Sequence, residues 1–147
     1  MRAALQTPNM QPVNFEQSIK LIVADNPRYR ADAYFFMREA LDYTKRGVSR
    51  NKSDEKHVSG KELLEGIRAF ALESYGPMAF TVLDEWGIRC CGDFGEIVFN
   101  MIEHDLLAKS ASDSRADFNG GYDFAEVFRK PFLPSKRLMS NPKSVEV

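Results

Sequence analysis

Apolar residues recur at three- and four-residue intervals along most of this chain, most regularly between Ser59 and Leu107. That period predicts three amphipathic helices with very short connections. Ser59 and Glu62 have the spacing of a capping box, in which the Ser oxygen accepts an early helix N–H and the Glu reaches back to the Ser N–H. Leu63, Leu64, Ile67, Phe70 and Ala71 then mark one inward face. Gly76 suits the left-handed end of a helix, and Pro77 suits the first position of the next, where no N–H is needed. Met78 to Trp86 is apolar on most sides, which predicts the central, most buried helix, with Phe80 and Trp86 in the core and Gly87 as its stop. The third helix opens on Asp93 and Glu96, a second box-like pair. It carries the stripe Phe94, Ile97, Val98, Met101 and Ile102, which places Ile97 in the core. Asp93, Glu96, Asn100 and Glu103 fall off that stripe and read as a solvated, acidic face.

Two helices precede this trio. Asn14 and Gln17 can cap a short one with Phe15, Ile19, Ile22 and Val23 inward, and Asn26-Pro27 breaks it, because the residue before Pro is pushed out of the helical region. A longer, aromatic helix is expected from about Ala31 to Arg46, with Asp32 at its positive end, Lys45-Arg46 at its negative end and Gly47 after it. Residues 48–58 lack apolar periodicity and read as a mobile surface loop. After Leu107 the pattern weakens: LLAKS fits a short strand or a frayed helix end. Asn119-Gly120-Gly121, between Phe118 and Tyr122, is a hairpin-type turn signal. Asp123 and Glu126 suggest a cap for a short helix closed by Pro131 and Pro134.

These elements make the fold class mainly α: a compact bundle of five to six helices, winged-helix-like in its C-terminal half, with a small β-hairpin. The organisation is a flexible N-terminus (1–13), one globular helical domain (14–134) and a disordered C-terminal tail (135–147), the last for want of apolar groups. A chain of 147 residues can bury about two-thirds of its unfolded surface and needs no metal or disulfide staple. No apolar run approaches the ~20 residues of a membrane span, and the first residues lack the apolar core of a secretory signal, so the expected setting is the cytoplasm, with no membrane partner. Cys90 and Cys91 are adjacent and cannot tie distant segments, which favours free thiols in a reducing compartment.

Charge is uneven beneath a net of −1. Residues 60–107 hold three Lys or Arg against nine acids, whereas residues 129–147 hold five against one. The helical middle is acidic and the ends are basic.

The segments NFEQSIKLIV, HVSGKELLEGIRAFALESYGPMAFTVLDEWGI, DFGEIVFNMIEHDLL and NGGYDFAEVFRKPFLP resemble, in order and wording, a small bacterial family found in planctomycete and verrucomicrobial genomes. The resemblance covers residues 14–134. It implies no particular reaction or ligand, and no functional residue is carried over from it. Cys90-Cys91 departs from the polar residues expected at that place in the family.

Motifs that would name a chemistry are missing. Only two histidines occur, His57 in the polar loop and His104 near a helix end. A Cys91–His104 dyad fails because thirteen residues of helix span about 20 Å. No His-x-x-x-His, Glu-x-x-His or Cys-x-x-Cys spacing offers a metal site. The run Asp117 to Asp123 looks calcium-like but has Tyr122 and Phe128 where an EF-hand needs Gly and Glu. No catalytic, cofactor or metal residue is therefore assigned. The expected function is a non-catalytic protein-interaction module whose contact face is Asp93, Glu96, Glu103 and Asp105, meeting a basic partner protein. The alternative is a winged-helix-like protein associated with nucleic acid or the ribosome. In that order of elements the 93–105 helix would read the major groove, yet it holds no Lys or Arg. Phosphate contacts require cations, so tight duplex DNA binding is disfavoured, while the basic loop and tail leave RNA or the ribosome open.

Overall fold

The long helices predicted from the apolar period all form in the computed structural model, which describes residues 12–51, 58–107 and 115–133. They are α1 (Pro12–Asp25), α2 (Ala31–Asn51), α3 (Gly60–Tyr75), α4 (Ala79–Glu85) and α5 (Cys91–Glu103). Short 3-10 turns lie at Gly76–Met78, Arg115–Phe118 and Lys130–Phe132, with one π turn at Ala125–Arg129. No strand occurs among the described residues.

The predicted local signals act as expected at several ends. Ser59 Oγ accepts the Glu62 N–H at 3.1 Å, and Glu62 Oε1 accepts the Ser59 N–H at 3.0 Å, so the capping box is complete. Gly76 and Gly87 hold φ of 50° and 92°, a region that costs a side chain strain but suits glycine. α1 stops at Asp25, just before Asn26-Pro27.

Packing is closest where α2 crosses α3. A Cβ on Gly66 would run into the Thr44 side chain, so only glycine permits this approach. The Thr44 hydroxyl donates to the Ala40 carbonyl of its own helix at 2.7 Å and so is satisfied although buried. α5 lies in the middle, against α2, α3 and the Arg115–Phe118 turn. Nine of its thirteen residues are buried. Gly95 lets the turn come near, since a Cβ there would stand 2.9 Å from the Cβ of Phe118. Downstream, Phe94, Tyr122, Phe124 and Phe128 interlock with ring centroids 5.0–6.2 Å apart. This seals the last segment onto the bundle, each such pair adding about 0.5–1.5 kcal/mol beyond area burial.

Several expectations need correction. The most buried helix is α5, not Met78–Trp86. Ile97 is fully buried, but Phe80 and Trp86 are only partly so, and Met78 is exposed. α4 is short and peripheral, so its large side chains are covered on one side. Trp86 leans on Phe36 and Tyr75, and Phe80 sits beneath the Arg129 guanidinium, 5.4 Å from the ring centre. Gly47 does not end α2, which continues to Asn51, a glycine inside a helix costing only about 1 kcal/mol. The first four positions of the loop predicted from residue 48 are therefore helical. At its far end Val58 is fully buried. α1 begins at Pro12, so the last two positions of the expected flexible N-terminus are helical. The β-hairpin is absent. Asn119 to Gly121 does turn, with Gly120 at φ 68°, but Phe118 goes under Gly95 and the Tyr122 hydroxyl donates to the Leu64 carbonyl at 2.8 Å. Those core contacts displace strand pairing. Asp123 does cap: its Oδ2 accepts the Glu126 N–H at 3.0 Å. Residues 1–11, 52–57 with His57, 108–114 and the tail from 134 lie outside the described residues, as do the flexibility, disorder and short-strand expectations made for them.

Replacing Ser59 by Ala should lower stability by about 1 kcal/mol, the usual loss for a good N-cap. Urea denaturation checks this, and an unchanged midpoint would show that the box carries no stabilisation.

Candidate functional site

The four acids of the expected contact face do not share one surface. Asp93 is buried, with 4% exposure. It stands in the first turn of α5 and its carboxylate is saturated with donors. The Tyr29 hydroxyl donates to Oδ1 at 2.6 Å and Arg28 Nη2 donates to the same oxygen at 3.0 Å. The Arg89 backbone N–H donates to Oδ2 at 2.8 Å, and the Cys90 thiol approaches that oxygen at 3.6 Å. A box with Glu96 is thus corrected to a carboxylate that ties the start of α5 to the α1–α2 connection. Burial, and next the Asp93 bond, push the Tyr29 phenol well above its ordinary range, so it stays a donor.

The same two connections meet through backbone. The Arg30 N–H donates to the Trp86 carbonyl at 3.2 Å. A Cβ on Gly87 would come within 2.7 Å of the Arg28 carbonyl oxygen, which is a second reason for glycine there. Asn100, the other polar residue off the stripe, is also buried and donates to the Tyr34 hydroxyl at 3.0 Å.

The remaining acids do reach the surface. Glu96 is partly exposed, and Glu103 and Asp105 are exposed. Gly92, Glu96 and Glu103 are separated by four and seven residues and so share one narrow strip of α5. Asp105 follows the helix end with φ 61°, a left-handed position that Asp and Asn tolerate better than most side chains.

The nucleophilic candidates have structural partners. Cys91 is buried and directs its thiol at the Tyr122 carbonyl, 3.5 Å away, and desolvation pushes it up to about 11. Cys90 is exposed. Nδ1 of His104 lies 3.0 Å from the Asn100 carbonyl, one turn back on its own helix. Among the described residues no three His, Cys, Asp or Glu side chains gather to hold a metal ion.

Two clefts flank the first turns of α3, at positions that sequence reasoning missed. One, of about 580 Å³, is lined by Tyr43, Thr44 and Gly47 of α2 and Lys61, Glu62, Glu65 and Gly66 of α3. The other, of about 310 Å³, lies between Lys61, Leu64 and Glu65 and the Asp117 to Tyr122 turn. Lys61 and Glu65 line both. The one available signal was Gly66, a glycine in an otherwise regular helix, which marks a close helix crossing. Comparisons with protein-family models, with curated proteins and with solved structures found no match to this chain.

Asp93→Ala should destabilise by about 2–4 kcal/mol, because it strands the buried Tyr29 hydroxyl and the Arg89 N–H, whereas exposed Arg28 can turn to water. A thermal melt resolves this, and a loss below about 0.5 kcal/mol would contradict the role of the carboxylate. Iodoacetamide on native protein near pH 8 should modify Cys90 and spare Cys91, because a thiol titrating near 11 is almost wholly protonated there. Labelling of Cys91 should rise as pH approaches 11. Mass spectrometry of a Cys90→Ser variant reads Cys91 alone, and rapid native labelling at about pH 8 would refute its protection.

Proposed function

We propose that this chain is a non-catalytic protein-interaction module whose acidic strip, Glu96, Glu103 and Asp105, meets a basic partner protein. The observation that carries the reading is the contrast within α5. Nine of its thirteen residues are buried, and the strip it still offers to solvent carries carboxylates and no cation. Such charges steer encounters and set salt dependence more than they set affinity. The groups most suited to catalysis have packing duties instead: Asp93 holds two connections together, Cys91 is kept as a thiol, and His104 faces its own helix. Asp93, being buried, lies outside the proposed face. We also propose kinship with the planctomycete and verrucomicrobial family, on the four segments that resemble it, and a cytoplasmic setting. No described helix is long and apolar enough to cross a membrane.

The second reading, a protein associated with RNA or the ribosome, is supported by the basic excess of residues 129–147. Its winged-helix-like form has less support. A reader helix must offer one whole face to a groove, and α5 is enclosed on nearly all sides.

Glu103→Lys combined with Asp105→Asn should leave the melting curve nearly unchanged and weaken capture of basic partners from native lysate, most clearly at low salt. Asn retains the left-handed tolerance of position 105. Recovery of the same partners at the same salt tolerance would reject the acidic strip. Partners that vanish on nuclease treatment would favour the second reading.

A further inference from the structure

The smaller cleft beside α3, of about 310 Å³, has walls that are fixed at both ends. At one end the Arg115–Phe118 turn comes against the start of α3, where a Cβ on Gly60 would stand 2.9 Å from the Cβ of Asp117. At the other, a Cβ on Gly121 would stand 2.6 Å from Leu64 Cδ1, and the Tyr122 hydroxyl donates to the Leu64 carbonyl at 2.8 Å. Gly120, between these two contacts, is in open space, since a Cβ there would meet nothing within 4 Å. Lys61, Glu65, Asn119 and Gly120 border the space that opens. Walls held in this way exist before any ligand arrives. The volume is at the lower end of the range for small-molecule sites, roughly 300–1,000 Å³.

The polar groups on this cleft are unevenly committed. Lys61 and Glu65 are one helical turn apart, a spacing at which opposite charges ordinarily pair. Instead Glu65 Oε1 accepts both Nε and Nη2 of Arg68, at 3.2 and 3.0 Å. Among the described residues the Lys61 ammonium has no ion pair or hydrogen bond, and neither has the Asn119 side-chain amide. Lys61 also stands in the first turn of α3, where the helix dipole disfavours a cation. Two sets of donors thus border the cleft without an acceptor. Both Arg68 bonds fall on Oε1, so Glu65 keeps Oε2 as an acceptor in an exposed side chain, and Asp117 adds a second carboxylate to the rim.

We propose that this cleft binds a small zwitterion, a free α-amino acid, with its carboxylate on Lys61 and Asn119 and its ammonium on Glu65. A cleft bordered by charges of both signs discriminates against ligands of one sign. A phosphate or simple carboxylate is attracted by Lys61 but repelled by Glu65 and Asp117, and an amine meets the reverse. A ligand that carries both charges close together satisfies both sides. Leu64 and the Tyr122 ring offer a short aliphatic side chain an apolar wall. The site shares no residue with the acidic strip of α5, so it is independent of the interaction reading. Charge pairs at an exposed cleft each contribute little, which sets the expected Kd on the order of 1–10 mM.

The test is titration of the isotope-labelled full chain with L-alanine, followed through backbone amide shifts, with propionate and ethylammonium as the two halves of that ligand. L-Alanine should move the amides of Lys61, Asn119, Gly120 and Gly121 and saturate, and each half should bind at least about tenfold more weakly. Lys61→Met should weaken alanine binding about fivefold or more with the melting curve retained, since the side chain is exposed. Glu65→Gln should also weaken alanine binding but strengthen that of propionate, because it removes a repulsion and releases Arg68. Alanine that leaves these amides unmoved, or moves them without saturation, overturns the proposal. Propionate binding as tight as that of alanine overturns it too, making the cleft a plain anion site, as does unchanged alanine binding by Lys61→Met.

Discussion

A carboxylate with 4% exposure has to be supplied with donors, and the way Asp93 is supplied organises this fold. An isolated buried charge costs several kcal/mol, so the chain must bring hydrogen-bond donors to it before α5 can occupy the centre. Two come from the α1–α2 connection, the Tyr29 hydroxyl and the Arg28 guanidinium, and two from the residues leading into α5, the Arg89 N–H and the Cys90 thiol. This arrangement sets the position of two loops at once. Gly87 can then press against the Arg28 carbonyl, and the Arg30 N–H can reach Trp86. Arg28 remains 59% exposed, so its share of the attraction is screened. The short bond from Tyr29, itself buried, is the stronger tie.

The same reasoning explains what periodicity could and could not disclose. Helix existence was legible because burial of one face leaves a period of three to four residues, and ends were legible where a residue has a chemical reason to be there, as at Ser59, Gly76 and Pro27. Burial of α5 on a second side was not. Asp93 and Asn100 lie where a solvated face would lie, and a polar residue paired in the interior has the same letter as one in water. Phe99, off the predicted stripe and buried, was the hint. The hydroxyl partners, Tyr29 and Tyr34, are more than sixty residues away in sequence. Only the tertiary fold brings them to α5.

α4 failed in the opposite sense. Its letters are more apolar than those of a surface helix, yet Phe80 is only half-covered, as is Trp86 just after it, and Met78 just before it is exposed. A seven-residue helix at the edge has too few neighbours to enclose side chains of that size. The hairpin signal failed because turn chemistry specifies a reversal and not the path of the chain beyond it. Asn119-Gly120-Gly121 reverses the chain, but Phe118 and Tyr122 on either side find partners on α5 and α3 rather than in each other's strand. Aromatic burial outweighs the few hydrogen bonds that an isolated two-stranded ribbon could form, since such a ribbon is marginal in water.

The enclosure of α5 also decides how the acids bear on function. Four carboxylates in and just after one helix invite a reading as one binding face, but the nearest to the helix start is consumed by the fold and the rest form a strip at its margin. A strip one or two side chains wide can bias which partner approaches and in what orientation. It cannot bury the area of a stable complex, commonly about 800 Å² on each partner. Apolar area must come from elsewhere on the molecule, and the exposed large side chains lie on α1, at Met78 and at the Phe132-Leu133 turn. On the proposed reading, the acidic margin would select a partner by charge while apolar side chains elsewhere on the molecule would supply the contact.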